Sequence, residues 1–600
     1  MNIGVLSAAI AVSVFALNVF ADVAQAENGR DESIASFRAE CAAAGQTEAF
    51  CLGWATSMEK IRPRDGALPQ VATNLFVRLA QGEHEAVQLF VVPKSGDLRN
   101  VKVSVSDDLV MKNARFAASN ITACVLGYVN VTNKPPYKTG VNVATTNAPG
   151  YVRKAVPASL GWWPDPIMSH LDHADVRGDD VQGFWIDVHV PVGQASGTYC
   201  GTVKVSADGV DPVVLPLSVR VNDFVLPQTP MLPLAVSLGS VSPADGVKAF
   251  DAEIAACRNS PNSPANLWRR HKAEWCDFLA DRYVTYGSIY TMGPDREMVK
   301  RLDERGFKGL VCLGHWTPPS STTNETVVAK WRKDVLGKLR ASYDWAKGEG
   351  ILDRCFFYGC DEYHPHTFGR ARWAAAEIHR ELPGVPLLTT AADRSLGVDS
   401  PLAEVDAFVP TTEKYSMSQA DKARARGRKV WWYFACDMHA PYANCFVEGQ
   451  GIEMRSVMGA QAVKYRPEGF LYYWIGAANS PRTLGDEPFT DWTPRTWGHN
   501  YHGDGGWISV GPDGIPLSTI RFENFRDGLD DYAYAKILEE RLRVRERGTG
   551  NGERDNWIRR AKAALAVPDT VVQSVRNYTD DPAVLYRWRD EMADLIETAP

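Results

Sequence analysis

Cys355-Phe356-Phe357-Tyr358-Gly359-Cys360-Asp361-Glu362-Tyr363 runs without a charge for six residues and then sets two carboxylates side by side. A short, non-alternating apolar run reads as a strand covered on both faces, as in a parallel sheet. Similar runs recur on either side: Leu234–Leu238, Val284–Tyr290, Gly309–Gly314, Leu387–Ala391, Ala407–Thr411, Val430–Ala435 and Phe470–Ile475. Between them lie helical patterns at Glu274–Arg282, Arg296–Arg305, Ala329–Lys347, Arg370–Glu381, Gln419–Arg426 and Glu453–Lys464. Parallel strands need such crossovers. Eight strand–helix repeats over about 250 residues predict a (β/α)8 TIM barrel. The alternative, a doubly wound open sheet, lacks the Gly-rich phosphate turn expected after its first strand.

Upstream the texture is different. Residues 60–228 predict a β-sandwich: short runs such as Glu85–Val92, Val101–Val105, Gly183–Val190 and Leu215–Val221, separated by turn residues. Pro227 and Pro230 punctuate the passage into a barrel over residues 229–515. Residues 27–59 read as a helical lead-in. Residues 516–600 read as a helical segment packed on the barrel, beginning with a charged helix over Arg521–Arg543. Val5 to Phe20 is an almost unbroken apolar run, followed by Ala24-Gln25-Ala26 and then polar residues. This is the pattern of a signal peptide over residues 1–26, and it predicts export to the periplasm or beyond with no stable membrane insertion after cleavage.

A net charge of −7 offers nothing to neutralise phosphates, so nucleic acid is not an expected partner. Of the 11 cysteines, none form C-x-x-C, and no His cluster has metal-ligand spacing; no metal or cofactor is expected. Cys41 and Cys51 are candidates for a disulfide in an oxidising compartment, while Cys312, Cys355, Cys360 and Cys436 read as core thiols.

Barrel chemistry sits at the C-terminal ends of the strands. Asp361 and Glu362 stand at one such end, where like charges raise one pKa and can keep a proton donor near neutrality. Adjacent strand residues normally point apart, so a pocket shared by both requires a local twist. Other strand ends carry His315-Trp316, Thr412-Glu413-Lys414-Tyr415, Trp431-Trp432-Tyr433 and Tyr472-Tyr473-Trp474. Aromatic and carboxylate side chains together suggest a sugar pocket. Asp504 and Trp507, in a turn-rich loop, are within reach of such a pocket or simply tighten the loop. Arg521, Glu523, Arg526, Asp527 and Asp531, at near-turn spacings, read as an ion-pair network tying their helix to the barrel.

Three stretches resemble glycoside hydrolase family 123: Gly82–Phe90, Tyr358-Gly359-Cys360-Asp361-Glu362, and Pro516–Tyr532. The resemblance implies a retaining exo-β-N-acetylgalactosaminidase acting on glycans with a terminal N-acetylhexosamine. In such an enzyme the substrate's 2-acetamido oxygen is the nucleophile. Asp361 would orient the acetamido group and Glu362 would serve as acid and base. Tyr415 or Tyr473 would bond the acetamido carbonyl, and Trp432 or Trp474 would floor the sugar. Two other readings remain open. One is a two-carboxylate retaining glycosidase with Asp437 or Glu413 as nucleophile; the other is a non-catalytic surface glycan-binding protein.

Overall fold

The computed structural model describes residues 30–46, 48–133, 160–238, 268–436, 438, 440–476, 483–491, 501–547 and 552–599. The expected signal peptide lies outside them. The N-terminal part is rich in β-structure. One seven-stranded sheet runs Gln70–Val71, Phe50–Thr56, His84–Pro93, Gln182–His189, Ile121–Val131 and Phe489–Thr490, with Gly161–Met168 also pairing to Ile121–Val131. A second is built on Ala174–Val176, Leu98–Ser104, Gly197–Ala207, Val210–Val225 and Leu75–Gln81. Period-two alternation sends Leu89, Val91, Phe184 and Ile186 of the first sheet into the same core as Leu79, Val203, Leu217 and Val219 of the second.

The lead-in is only partly helical. A helix covers residues 30–43, but Phe50–Thr56 is a strand, paired antiparallel with His84–Pro93 along its whole length. Its β-favouring residues find a partner edge, and pairing overrides the local reading.

The C-terminal part carries a five-stranded parallel sheet in sequence order: Val311–Trp316, Cys355–Gly359, Leu387–Thr389, Ala407–Phe408 and Lys429–Val430. A parallel bridge from Trp432 to Phe470 leads on to Phe470–Tyr472, which pairs in parallel with Leu234–Val236. The expected strand Val284–Tyr290 does not form. Tyr286 and Gly287 sit in a bend there, and the segment is held by single bonds. Leu238 N–H donates to the Gly287 carbonyl at 2.8 Å, His315 N–H to that of Thr291 at 2.7 Å, and Ile289 N–H to Ser237 Oγ at 2.9 Å. A side-chain hydroxyl thus replaces a ladder bond. A small apolar cluster draws on each of these segments: Ala235, Ile289, Phe356, Tyr358, Leu388, Ala407, Val409, Trp431, Tyr433 and Leu471, with Cys312 packed on it. A much larger core holds the alternate residues, such as Phe357, Phe408, Trp432 and Tyr472, against the surrounding helices.

Helical structure dominates the end of the chain, with helices at Ile520–Glu546, Gly552–Leu565 and Pro582–Glu597. Ile520–Glu546 is buried almost all round for its first four turns. Its charged side chains form the expected network, and its reach exceeds the expectation. Arg521 makes a bidentate pair with Asp165 of the β-rich part. Asp531 pairs with Arg455 of the helix Gly451–Met458, and Arg455 in turn holds Glu85 of strand His84–Pro93 at 2.9 Å. Arg589, from Pro582–Glu597, faces Glu83 and lies 3.2 Å from Asp531. Backbone contact between the helices is close: a Cβ on Gly528 would meet the Arg455 carbonyl at 2.6 Å and Met458 Cβ at 2.8 Å. Gly528→Ala therefore separates the helices, and we expect a loss of about 1–3 kcal/mol in urea unfolding despite alanine's better helix propensity.

Candidate active site

Strand Cys355–Gly359 is wholly buried. Its alternation points Phe356 and Tyr358 into the small inner cluster and Cys355 and Phe357 out towards the helices. The strand then breaks in an unusual way. Cys360 and Glu362 both have left-handed backbones, φ +53° and +52°. A left-handed conformation in a non-glycine residue costs about 1–3 kcal/mol and is retained where the surroundings enforce it. Here it replaces the extended geometry that would drive two neighbouring side chains apart.

Both carboxylates consequently reach hydroxyls of the inner cluster. Asp361 Oδ1 accepts from Tyr358 at 2.5 Å and from Thr390 at 2.9 Å, and Oδ2 accepts from Tyr290 at 3.2 Å. Glu362 Oε1 accepts from Tyr433 at 2.8 Å. Thr390, just past strand Leu387–Thr389, joins the two: its Oγ donates to Asp361 and accepts the Glu362 N–H at 3.1 Å. Asp361 is half-buried and Glu362 exposed. Burial, and then the charge of Asp361, push the Tyr290 phenol well up; burial does the same to Tyr358. Both remain proton donors to Asp361 at neutral pH.

His315 belongs to the same group. Its ring lies 5.4 Å from that of Tyr290 and 5.5 Å from that of Tyr358. Burial draws its pKa down, against the pull of Asp361, so the imidazole is neutral near pH 7, and its Nδ1 is buried without a partner. A second polar group forms around Asp504, which is buried and accepts from Tyr472 at 2.7 Å and from Tyr473 at 2.6 Å. Trp474 is nearly buried, its Nε1 donating to the Gly476 carbonyl at 3.3 Å.

The structure places two expected sugar contacts elsewhere. Trp432 is fully buried, 0% exposed, and faces the outer core, leaving no ring face for a sugar. Tyr415 packs on it at 5.5 Å and spends its hydroxyl on the Tyr465 carbonyl and Arg424. The phase of the strand explains both: Trp431 and Tyr433 point inward, so Trp432 cannot. Glu413 is exposed. Asp437 lies outside the described residues. Trp507 is a core residue, its ring tilted against that of Tyr472 with centroids 4.1 Å apart. Tyr290, Tyr358, Thr390 and Tyr433 were not singled out as site residues. Alternation from Tyr358 flags two of them; Thr390 and Tyr290 depend on neighbouring segments meeting. Among the described residues no three His, Cys, Asp or Glu side chains form a group that would hold a metal ion.

Residues 71–207 match the family profile described as the glycoside hydrolase 123 N-terminal domain, and residues 349–538 match the glycoside hydrolase 123 catalytic domain. No curated protein matches the chain. Among solved structures, a family 123 glycoside hydrolase from Clostridium perfringens, described as acting in glycolipid glycan hydrolysis, aligns at 12% identity and TM-score 0.61. The alignment covers 92% of this chain and 97% of that one. A family 39 glycoside hydrolase from Bacteroides cellulosilyticus aligns at 12% identity over 67% of this chain and 80% of that one, with TM-score 0.27. A Bacteroides ovatus GH5 xyloglucanase aligns at 9% over 76% and 98%, with TM-score 0.19. The first alignment extends the shared fold across nearly the whole chain; the other two are too distant to add to it.

Proposed function

The chain belongs to glycoside hydrolase family 123, and on that premise we propose that it is an exported, retaining exo-β-N-acetylgalactosaminidase that uses its substrate's own acetamido group as nucleophile. One observation carries the mechanism: the two carboxylates are held unequally. Asp361 accepts three hydroxyls, while Glu362 is exposed and takes one, from Tyr433. A carboxylate fixed by three donors suits an anion that orients a neighbouring N–H and faces developing positive charge. It is poorly suited to swinging in as a covalent nucleophile. An exposed carboxyl steadied at one oxygen suits a group that hands a proton to the leaving oxygen and later takes one from water. The acetamido oxygen, already tethered to the sugar, supplies the attack at high effective concentration.

In this reading the parallel segments close into a (β/α)8 barrel around the inner cluster, with Tyr290, His315, Tyr358, Thr390 and Tyr433 at its mouth and the two N-terminal sheets as a sandwich beside it. Tyr473, Asp504 and Trp474 lie at the end of another of these segments and would line the far side of the same opening. The apolar run and Ala24-Gln25-Ala26 support export. Among the described residues, no helix is long and apolar enough to cross a membrane.

The test compares aryl β-glycosides of N-acetylgalactosamine and galactose. Loss of the internal nucleophile should slow the galactoside at least about a thousandfold. A thiazoline mimic of the oxazolinium intermediate should inhibit competitively. Comparable turnover of both glycosides would assign the attack to an enzyme carboxylate instead.

A further inference from the structure

The helix over residues 30–43 covers the face of the first sheet that points away from the inter-sheet core. Ile34, Phe37 and Cys41 pack there against Cys51, Ala55, Phe90 and Val92. Gly45, at φ +87°, ends the helix, and the next residue locks the turn. Gln46 N–H donates to the Cys41 carbonyl at 2.9 Å. Its side chain donates to the carbonyls of Leu52 at 3.1 Å and Ala72 at 2.8 Å, and accepts the Leu52 N–H at 2.6 Å. One glutamine thus fixes the backbone of Cys41 relative to that of Cys51's neighbour. Between these fixed points the two cysteines lie in the same buried cluster, each fully buried.

We propose that Cys41 and Cys51 are a disulfide-forming pair that pins the N-terminal helix to strand Phe50–Thr56. Two buried thiols in one cluster, on a helix and a strand already tied together by Gln46, satisfy the closeness that a disulfide demands better than cysteines scattered over the surface would. Their mutual interaction also prepares the chemistry. It pushes the Cys41 thiol up and, with help from Lys94, draws the Cys51 thiol down to about 7, so Cys51 is the attacking group. The oxidant is a disulfide, either small or on a protein. The Cys51 thiolate attacks one of its sulfurs and expels a first thiol. The Cys41 sulfur, giving up its proton, then attacks Cys51 Sγ and expels the second. Two S–H bonds are lost and one S–S bond forms; both electrons and both protons leave with the two thiols.

The experiment uses the full-length chain, incubated with oxidised glutathione at temperatures up to the onset of melting, then alkylated in denaturant and digested. The expected product is a linked peptide pair spanning Cys41 and Cys51, lighter by two hydrogens. The oxidised chain should melt about 2 °C higher than the reduced one, since the cross-link restricts the unfolded state. A double variant, C41A with C51A, should show no such difference between the two conditions. Alkylation of both cysteines, or glutathione retained on either, overturns the pair. A cross-link without a shift in melting overturns the pinning role.

Discussion

Glu362→Gln is expected to lower kcat/KM on a substrate with a sugar leaving group by about 10²–10⁴-fold, the usual contribution of a positioned proton donor. That corresponds to about 3–5 kcal/mol of barrier. The substitution preserves shape and keeps an oxygen for the Tyr433 hydroxyl, which donates to Glu362 Oε1 at 2.8 Å in the native protein. The backbone bond to Thr390 is untouched. Folding should therefore be unaffected, and circular dichroism and melting should match the parent. The diagnostic signature is leaving-group dependence. An aryl glycoside with an acidic phenol departs without protonation, so its glycosylation step should fall far less than that of an alkyl or sugar glycoside. An equal loss on both kinds of substrate would remove Glu362 from the role of general acid. Retained activity on both would remove it from the reaction.

Arg455→Met is expected to cost about 3–5 kcal/mol of stability, because it strands buried carboxylates rather than removing a pair. The guanidinium is 0% exposed and holds Asp531 at 2.8 and 3.0 Å and Glu85 at 2.9 and 3.2 Å. Burial alone would push the Glu85 carboxyl up, but Arg455 and Arg589 outweigh it and hold it below its ordinary value. Without Arg455 that balance reverses, and Glu85 in the folded variant should titrate above its unfolded value. A carboxyl with a raised folded pKa stabilises the fold when protonated. The variant's deficit in urea midpoint should therefore shrink as pH falls from 8 towards 5, whereas the native Glu85 contribution is retained over that range. A deficit below about 1 kcal/mol at neutral pH would mean that the site reorganises or admits water, contrary to the packing around it.

What was legible in the sequence was periodicity and punctuation. Uncharged runs separated by amphipathic segments disclosed the parallel strands, and Asp361-Glu362 stood out because two charges closed a run that had none. What was not legible was phase. In Trp431-Trp432-Tyr433 every residue is a plausible wall for a sugar, and only the fold says which side each one faces. Strands buried on both faces carry no hydrophobic alternation to reveal it. The sequence therefore offers Trp432 as readily as Tyr433 for the site, and only the latter points inward. The Val284–Tyr290 segment illustrates a second limit: its apolar composition matches a strand, but a bend at Tyr286-Gly287 breaks it, and the compensating hydroxyl comes from Ser237, some fifty residues earlier. Thr390 exposes a third. A threonine beside a strand end is unremarkable until the neighbouring strand brings Asp361 and Glu362 against it. The charged helix reads as a network, but that network extends to Asp165 through Arg521 and to Glu83 and Glu85 through Arg589 and Arg455, hundreds of residues away, where no local spacing points to them.

Those distant pairings bear on how such a chain can change over generations. Many carbohydrate-active enzymes carry accessory modules that are gained, lost and exchanged like beads on a string. Here, replacing the β-rich N-terminal part with a foreign one would take Asp165 from Arg521, Glu85 from Arg455 and Glu83 from Arg589, all of them buried pairs. Exchange of either part alone should therefore destabilise the whole chain, and a substitution at one side of that seam should be tolerated best with a matching change at the other.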